Sequence, residues 1–90
     1  MRIKFAKGLQ RKFLEEVLIR TACPSLMELS RRVNVNYQTL KNYYIERRLL
    51  PRELFELFCK TSNLEENGFS FEELPDNFGQ IKGGKNTNKN

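Results

Sequence analysis

Histidine is missing from all 90 residues, and so is tryptophan. Without histidine the chain lacks the commonest general base and metal ligand. Neither Cys23 nor Cys59 has the imidazole partner that would make it a nucleophile. Two cysteines are also too few for a disulfide-stapled secreted domain, so both are expected as reduced, buried thiols near the ends of helices. No apolar run approaches the length that spans a bilayer, and the start MRIKFAKGLQRKF interleaves charge with apolar residues, unlike a signal peptide. These absences exclude most enzyme classes and membrane roles. The expectation is a soluble cytoplasmic protein that is not an enzyme and uses no cofactor and no metal.

What is present is positive charge, unevenly spread. The formal net charge is +5, and residues 1–12 carry Arg2, Lys4, Lys7, Arg11 and Lys12 with no acid. Residues 67–78 reverse this, with Glu72, Glu73 and Asp76 and no base. A basic surface favours a polyanionic partner, although it also serves solubility alone. Glu65, Glu66, Glu72, Glu73 and Asp76 match no ordered cation-binding loop and read as a solvated acidic stretch.

Ninety residues suffice for one small core. Ile3 and Phe5 alternate with Arg2 and Lys4, the period of a short strand over residues 1–5. Leu9, Phe13, Leu14, Val17 and Leu18 then form one stripe of an amphipathic helix running to about Ala22, where Pro24 disfavours further helix at Cys23. Ser25 opens a second helix with a capping box, its hydroxyl accepting from the Glu28 N–H while the Glu28 carboxylate reaches back to the Ser25 N–H. Leu26, Leu29 and Val33 line its buried side. Pro51 stands at the first position of a fourth helix, apolar through Leu54, Phe55, Leu57, Phe58 and Cys59. Phe69 and Phe71 flank Ser70 in a second strand over 69–72 that pairs with the first.

The stretch SLMELSRRVNVNYQTLKNYY, residues 25–44, is helical in both halves and broken between them. Asn34 tolerates the left-handed backbone that ends a helix, Val35 offers an apolar plug, and Asn36 caps a third helix from Tyr37 to about Glu46. On a wheel of 100° per residue, Leu40, Tyr43, Tyr44 and the stem of Arg47 share one side, which is core. Gln38, Lys41, Asn42 and Ile45 share the other. Short amides on an exposed face are ordinarily only solvated. Grouped with an ammonium and a methyl-rich chain, they are the side-chain repertoire that reads base edges in a major groove.

On these residues the chain resembles the Cro and phage-repressor type of helix-turn-helix protein. Leu29 and Val33 match apolar positions of that family's first motif helix. Ser30 stands where alanine is usual, Asn34 where glycine is usual, and Val35, Leu40 and Tyr43 match the later apolar positions. The resemblance runs from residue 9 to 66, through Glu46-Arg47-Arg48-Leu49-Leu50-Pro51 and the helix after it. It implies that Asn36, Tyr37, Gln38, Lys41 and Asn42 face duplex DNA, and the net charge of +5 favours placing Arg48 there too. Asn36 and Tyr37 would lie at the helix start and Arg48 over phosphate.

The resulting expectation is a mainly α fold, a small helix-turn-helix bundle of four to five helices with a short two-stranded sheet. Residues 1–78 would form the DNA-binding domain and residues 79–90 a flexible basic tail, since GQIKGGKNTNKN holds one apolar residue and cannot order itself. Residues 74–85, LPDNFGQIKGGK, also resemble the stretch that joins a DNA-binding head to the catalytic part of archaeal LAGLIDADG-type homing endonucleases. No LAGLIDADG sequence is present. For a chain that is part of a longer protein, that resemblance implies an additional catalytic domain. Whether a homodimer reads two half-sites stays open, as does the alternative of a protein-interaction module whose Phe69/Phe71 strand adds to a partner's sheet edge.

Overall fold

The computed structural model describes residues 1–75. The readings made for residues 76–90, the basic tail and most of the linker-like stretch, lie outside them. The fold is mainly helical with a small antiparallel sheet. The chain runs through β1 (Arg2–Phe5), α1 (Leu9–Thr21), α2 (Leu26–Val33), α3 (Tyr37–Tyr44), β2 (Leu50–Pro51), α4 (Arg52–Ser62), a single 3-10 turn (Glu66–Gly68) and β3 (Phe71–Leu74).

Among the described residues the sheet has three strands, not two, in the order β2-β1-β3. Residues 1–5 and the region after Phe69 do pair, with Phe5 opposite Phe71 and Ile3 opposite Glu73. The second strand covers 71–74 instead of 69–72. The 3-10 turn precedes Phe69, whose ring is turned against Phe13 at 5.1 Å. The third strand, β2, pairs Ile3 with Leu50 and Arg2 with Pro51. A proline fits there because β2 is an edge and needs no donor on its outer side. Pro51 is consequently the residue before α4, extended at φ −66° and ψ 149°, and Arg52 is the first helical residue. The Arg52 N–H donates to the Met1 carbonyl at 2.8 Å.

Among the described residues α1, α2, α3 and α4 all end in one way, and none uses glycine. Ala22, Asn34, Glu46 and Asn63 adopt left-handed backbone with φ between 58° and 65°. The next residue then donates its N–H five residues back: Cys23 to Leu18, Val35 to Ser30, Arg47 to Asn42 and Leu64 to Cys59, at 2.9–3.0 Å. After α1, α2 and α4 that residue is apolar and packs on the core, as this closure favours. The left-handed Glu46 explains why α3 stops at Tyr44 and not at Glu46. The Ser25 hydroxyl accepts from the Glu28 N–H at 3.2 Å, as expected. The reciprocal half of the capping box is replaced, because the Glu28 carboxylate lies 3.6 Å from the Arg31 guanidinium. Ser25→Ala is expected to lower stability by about 1 kcal/mol. An unchanged melting curve would mean that the hydroxyl contributes nothing to starting α2.

Aromatic rings form the centre. Phe13 and Phe55 are fully buried, their ring centroids 5.1 Å apart. Phe5 stacks on Phe13 at 5.6 Å, and Phe71 meets Phe55 edge-on at 5.0 Å. These contacts join β1, α1, α4 and β3, while Leu29, Leu40 and Tyr43 extend the core beneath the α2–α3 pair. The acids of the last segment are not simply solvated. The Arg52 guanidinium contacts Glu56 at 2.8 Å, Glu66 at 3.0 Å and also Glu73, tying the 3-10 turn and β3 to the start of α4. Arg52 is thereby held charged, most strongly by its hydrogen bond to Glu56.

Candidate nucleic-acid interface

The candidate surface is built on the turn between α2 and α3. Asn34 ends α2 at φ 59°, Val35 packs against the core, and the Asn36 side-chain oxygen accepts from the Thr39 N–H at 3.2 Å. Three residues thus stop one helix, fix the turn and start the next. Leu40 is fully buried and Tyr43 nearly so, which seats α3 firmly. Tyr44 lies at the flank, its hydroxyl donating to the Glu15 carboxylate at 2.9 Å. The Arg11 guanidinium stands 5.1 Å from the centre of the Tyr44 ring. Arg11 is held charged by this neighbour first and by Glu15 second.

The outward face of α3 carries Gln38, Lys41 and Ile45 in the open, with Asn42 half-buried beside them. Tyr37 is exposed at the helix start, next to the exposed Asn36. Five of the six residues named from the sequence are therefore gathered on the beginning and outer face of one helix. Asn36 has part of its capacity committed, because its oxygen caps α3 and its amide N–H groups are what it can offer a partner.

Arg48 lies past the end of the helix, its N–H donating to the Asn42 carbonyl at 3.4 Å. Its carbonyl accepts from the Gln10 side-chain amide at 2.8 Å, and the same amide donates to the Tyr43 carbonyl at 2.7 Å. Glu46 then reaches across to the start of α1, accepting from the Gly8 N–H at 2.9 Å and the Arg11 N–H at 3.0 Å. That helix has no acid in its own first turn and no side-chain cap of its own. Glu46 supplies the missing negative charge, and this role offsets its left-handed strain. The basic start of α1, flanked by Lys7 and carrying Arg11 and Lys12, is thereby tied to the residue that precedes Arg47 and Arg48 in the chain. Lys7, Lys12, Lys41, Arg47 and Arg48 have no ion-pair partner among the described residues, whereas Arg20, Arg31 and Arg52 are each paired with a carboxylate.

Sequence reasoning missed Gln10 and Glu46, and it placed the stem of Arg47 on the core side, whereas Arg47 is exposed because α3 ends at Tyr44 and the chain turns at the left-handed Glu46. One signal was available for Glu46: a helix start crowded by Lys7, Arg11 and Lys12 requires an anion from elsewhere in the chain. Gln10 gave no such signal, since it stands at the edge of the apolar stripe and its partners are carbonyls 33 and 38 residues away.

The cysteines offer no reactive centre. Both are buried and free, and burial pushes the Cys59 thiol up to about 11, leaving it neutral near pH 7. Among the described residues no helix is long and apolar enough to cross a membrane. Compared with protein-family models, curated proteins and solved structures, the chain finds no match.

Proposed function

We propose that this protein binds duplex DNA sequence-specifically, with α3 in the major groove and the Arg47/Arg48 pair on the adjacent phosphates. It would act as a transcriptional regulator of the Cro and phage-repressor type, or as the DNA-binding module of a larger protein, in the cytoplasm. The observation that carries this reading is the outer face of α3. Gln38, Lys41 and Ile45 stand exposed on a helix whose opposite side is sealed by Leu40 and Tyr43. A helix presented in this way fits a groove about 12 Å wide, and its side chains can match base-edge donors and acceptors. A homodimer would place two such helices about 34 Å apart on two half-sites.

Salt dependence tests the proposal. Five unpaired cations, Lys7, Lys12, Lys41, Arg47 and Arg48, placed on phosphates give a slope of log K against log salt of about −4.5. Affinity for duplex DNA should then fall by about 500-fold between 50 and 200 mM salt. A slope near zero would defeat the reading.

A second reading rests on β3. Among the described residues this strand is an edge of the sheet, paired with β1 on one side only. Its outer backbone groups suit an added strand from a partner protein, and Glu72 would favour a basic one. A protein that ignores duplex DNA at every salt concentration would favour this second role.

A further inference from the structure

The exposed side chain of Ile45 is unexplained by packing. It is 46% exposed at the end of α3, a helix in which Leu40 and Tyr43 are buried, Tyr44 is half-buried and Tyr37 is exposed at the opposite end. Its surroundings on α3 are polar: Lys41 lies one turn before it, Asn42 beside that, and Gln38 two turns before. An isoleucine held among two amides and an ammonium gains nothing from that surface. It matches instead a polar groove wall that carries isolated methyl groups.

The backbone fixes where that match falls. The Ile45 N–H still donates to the Lys41 carbonyl at 2.9 Å, so Ile45 keeps its helical position although it is the residue that closes α3. From Gln38 to Ile45 the helix advances seven residues, about 10.5 Å, and turns through nearly two full revolutions. The two side chains therefore lie in one line along the outer face. With base pairs spaced 3.4 Å along each strand, that advance covers about three base-pair steps. In the major groove only thymine carries a C5-methyl group, whereas adenine offers the N6/N7 pair that an amide such as Gln38 recognises bidentately.

We infer that Ile45 is a specificity-determining residue that packs on the 5-methyl of a thymine about three base-pair steps from the pair read by Gln38. This inference rests on the DNA-binding reading above and adds a ligand to it: a site with A·T pairs at both ends of the α3 footprint. Lys41, between them, is suited to the acceptors of a guanine. Ile45 needs no hydrogen-bond partner for this role, and its contact would remove apolar surface from water on both sides.

The test starts from the duplex preferred by the protein in selection from random sequences. Each thymine is then replaced, one at a time, by deoxyuridine, which removes only the methyl group. One such replacement, about three steps from the pair whose change is tolerated by Gln38→Ala, is expected to weaken wild-type binding about fourfold. The same replacement should have less than about a twofold effect on Ile45→Ala, and Ile45→Val should retain most of the sensitivity. Melting curves of both variants confirm that the exposed site tolerates the change. If no deoxyuridine position matters to the wild type, or if the loss persists unchanged in Ile45→Ala, the inference is overturned. A preferred site that responds to Gln38→Ala but contains no thymine within the footprint overturns it alone. A protein that selects no sequence overturns both this inference and the groove-reading proposal beneath it.

Discussion

Phe13→Ala should lower the unfolding free energy by about 3–5 kcal/mol, enough to leave a domain of this size largely unfolded near physiological temperature. The ring is fully buried and stands within 5.1–5.6 Å of Phe5, Phe55 and Phe69, so its removal opens a cavity shared by β1, α1, α4 and the approach to β3. No neighbouring element is free to collapse into that space without losing its own contacts. Urea unfolding followed by circular dichroism measures the loss. A change below about 1 kcal/mol would mean that the aromatic cluster is not the principal core.

The features that could be read from the sequence are those whose causes are local. Ser25, Asn34 and Asn36 act on backbone groups within a few residues, so the stop, plug and restart between α2 and α3 could be placed before the fold was seen. The stripe from Leu9 to Leu18 likewise needs only the helical repeat. The features that escaped depend on distant partners. Leu50 and Pro51 form a strand only because β1 lies beside them, and two residues carry no periodicity. Glu46 would serve as an ordinary surface acid were its carboxylate not 2.9 Å from the Gly8 N–H, 38 positions earlier. The acids near the end read as solvated because Arg52, which gathers Glu66 and Glu73, comes from another helix. The outer face of α3 was legible for the same reason as its start, since angular position follows from residue number alone. What holds the Arg48 segment in place was not, because the partner of its carbonyl, Gln10, lies 38 residues away.

Gln38→Ala and Asn42→Ala should each weaken binding to the preferred duplex by about 1–3 kcal/mol, a loss of roughly five- to 150-fold, while leaving affinity for scrambled duplex nearly unchanged. Arg48→Ala should weaken both about equally, because a phosphate contact carries no base information. The contrast follows from placement. Gln38 and Asn42 lie on the outward side of α3, about 40° apart around its axis. Arg48 lies past the helix end, in the segment anchored by Gln10 and Glu46. Asn42 is half-buried, so its loss must be separated from any change in folding by thermal denaturation of the variant. Competition titrations with preferred and scrambled duplexes decide the matter. Should both amide variants lose affinity for every sequence alike, α3 is not the reading element, and the β3 edge becomes the surface to pursue.

The sheet order β2-β1-β3 sets a timetable for the growing chain. The central strand is the earliest element, yet its two neighbours are completed only at Pro51 and Leu74. Until Leu74 has been added, one side of β1 has no β3 to pair with, and the Phe5 ring has neither Phe69 nor Phe71 beside it. At synthesis rates of about 5–20 residues per second, the wait lasts several seconds, far longer than helices take to form. The α2–α3 unit can therefore assemble locally on the ribosome well before the sheet closes. Charge of one sign beside Ile3 and Phe5 suits that interval, since it disfavours association of an unpaired strand edge.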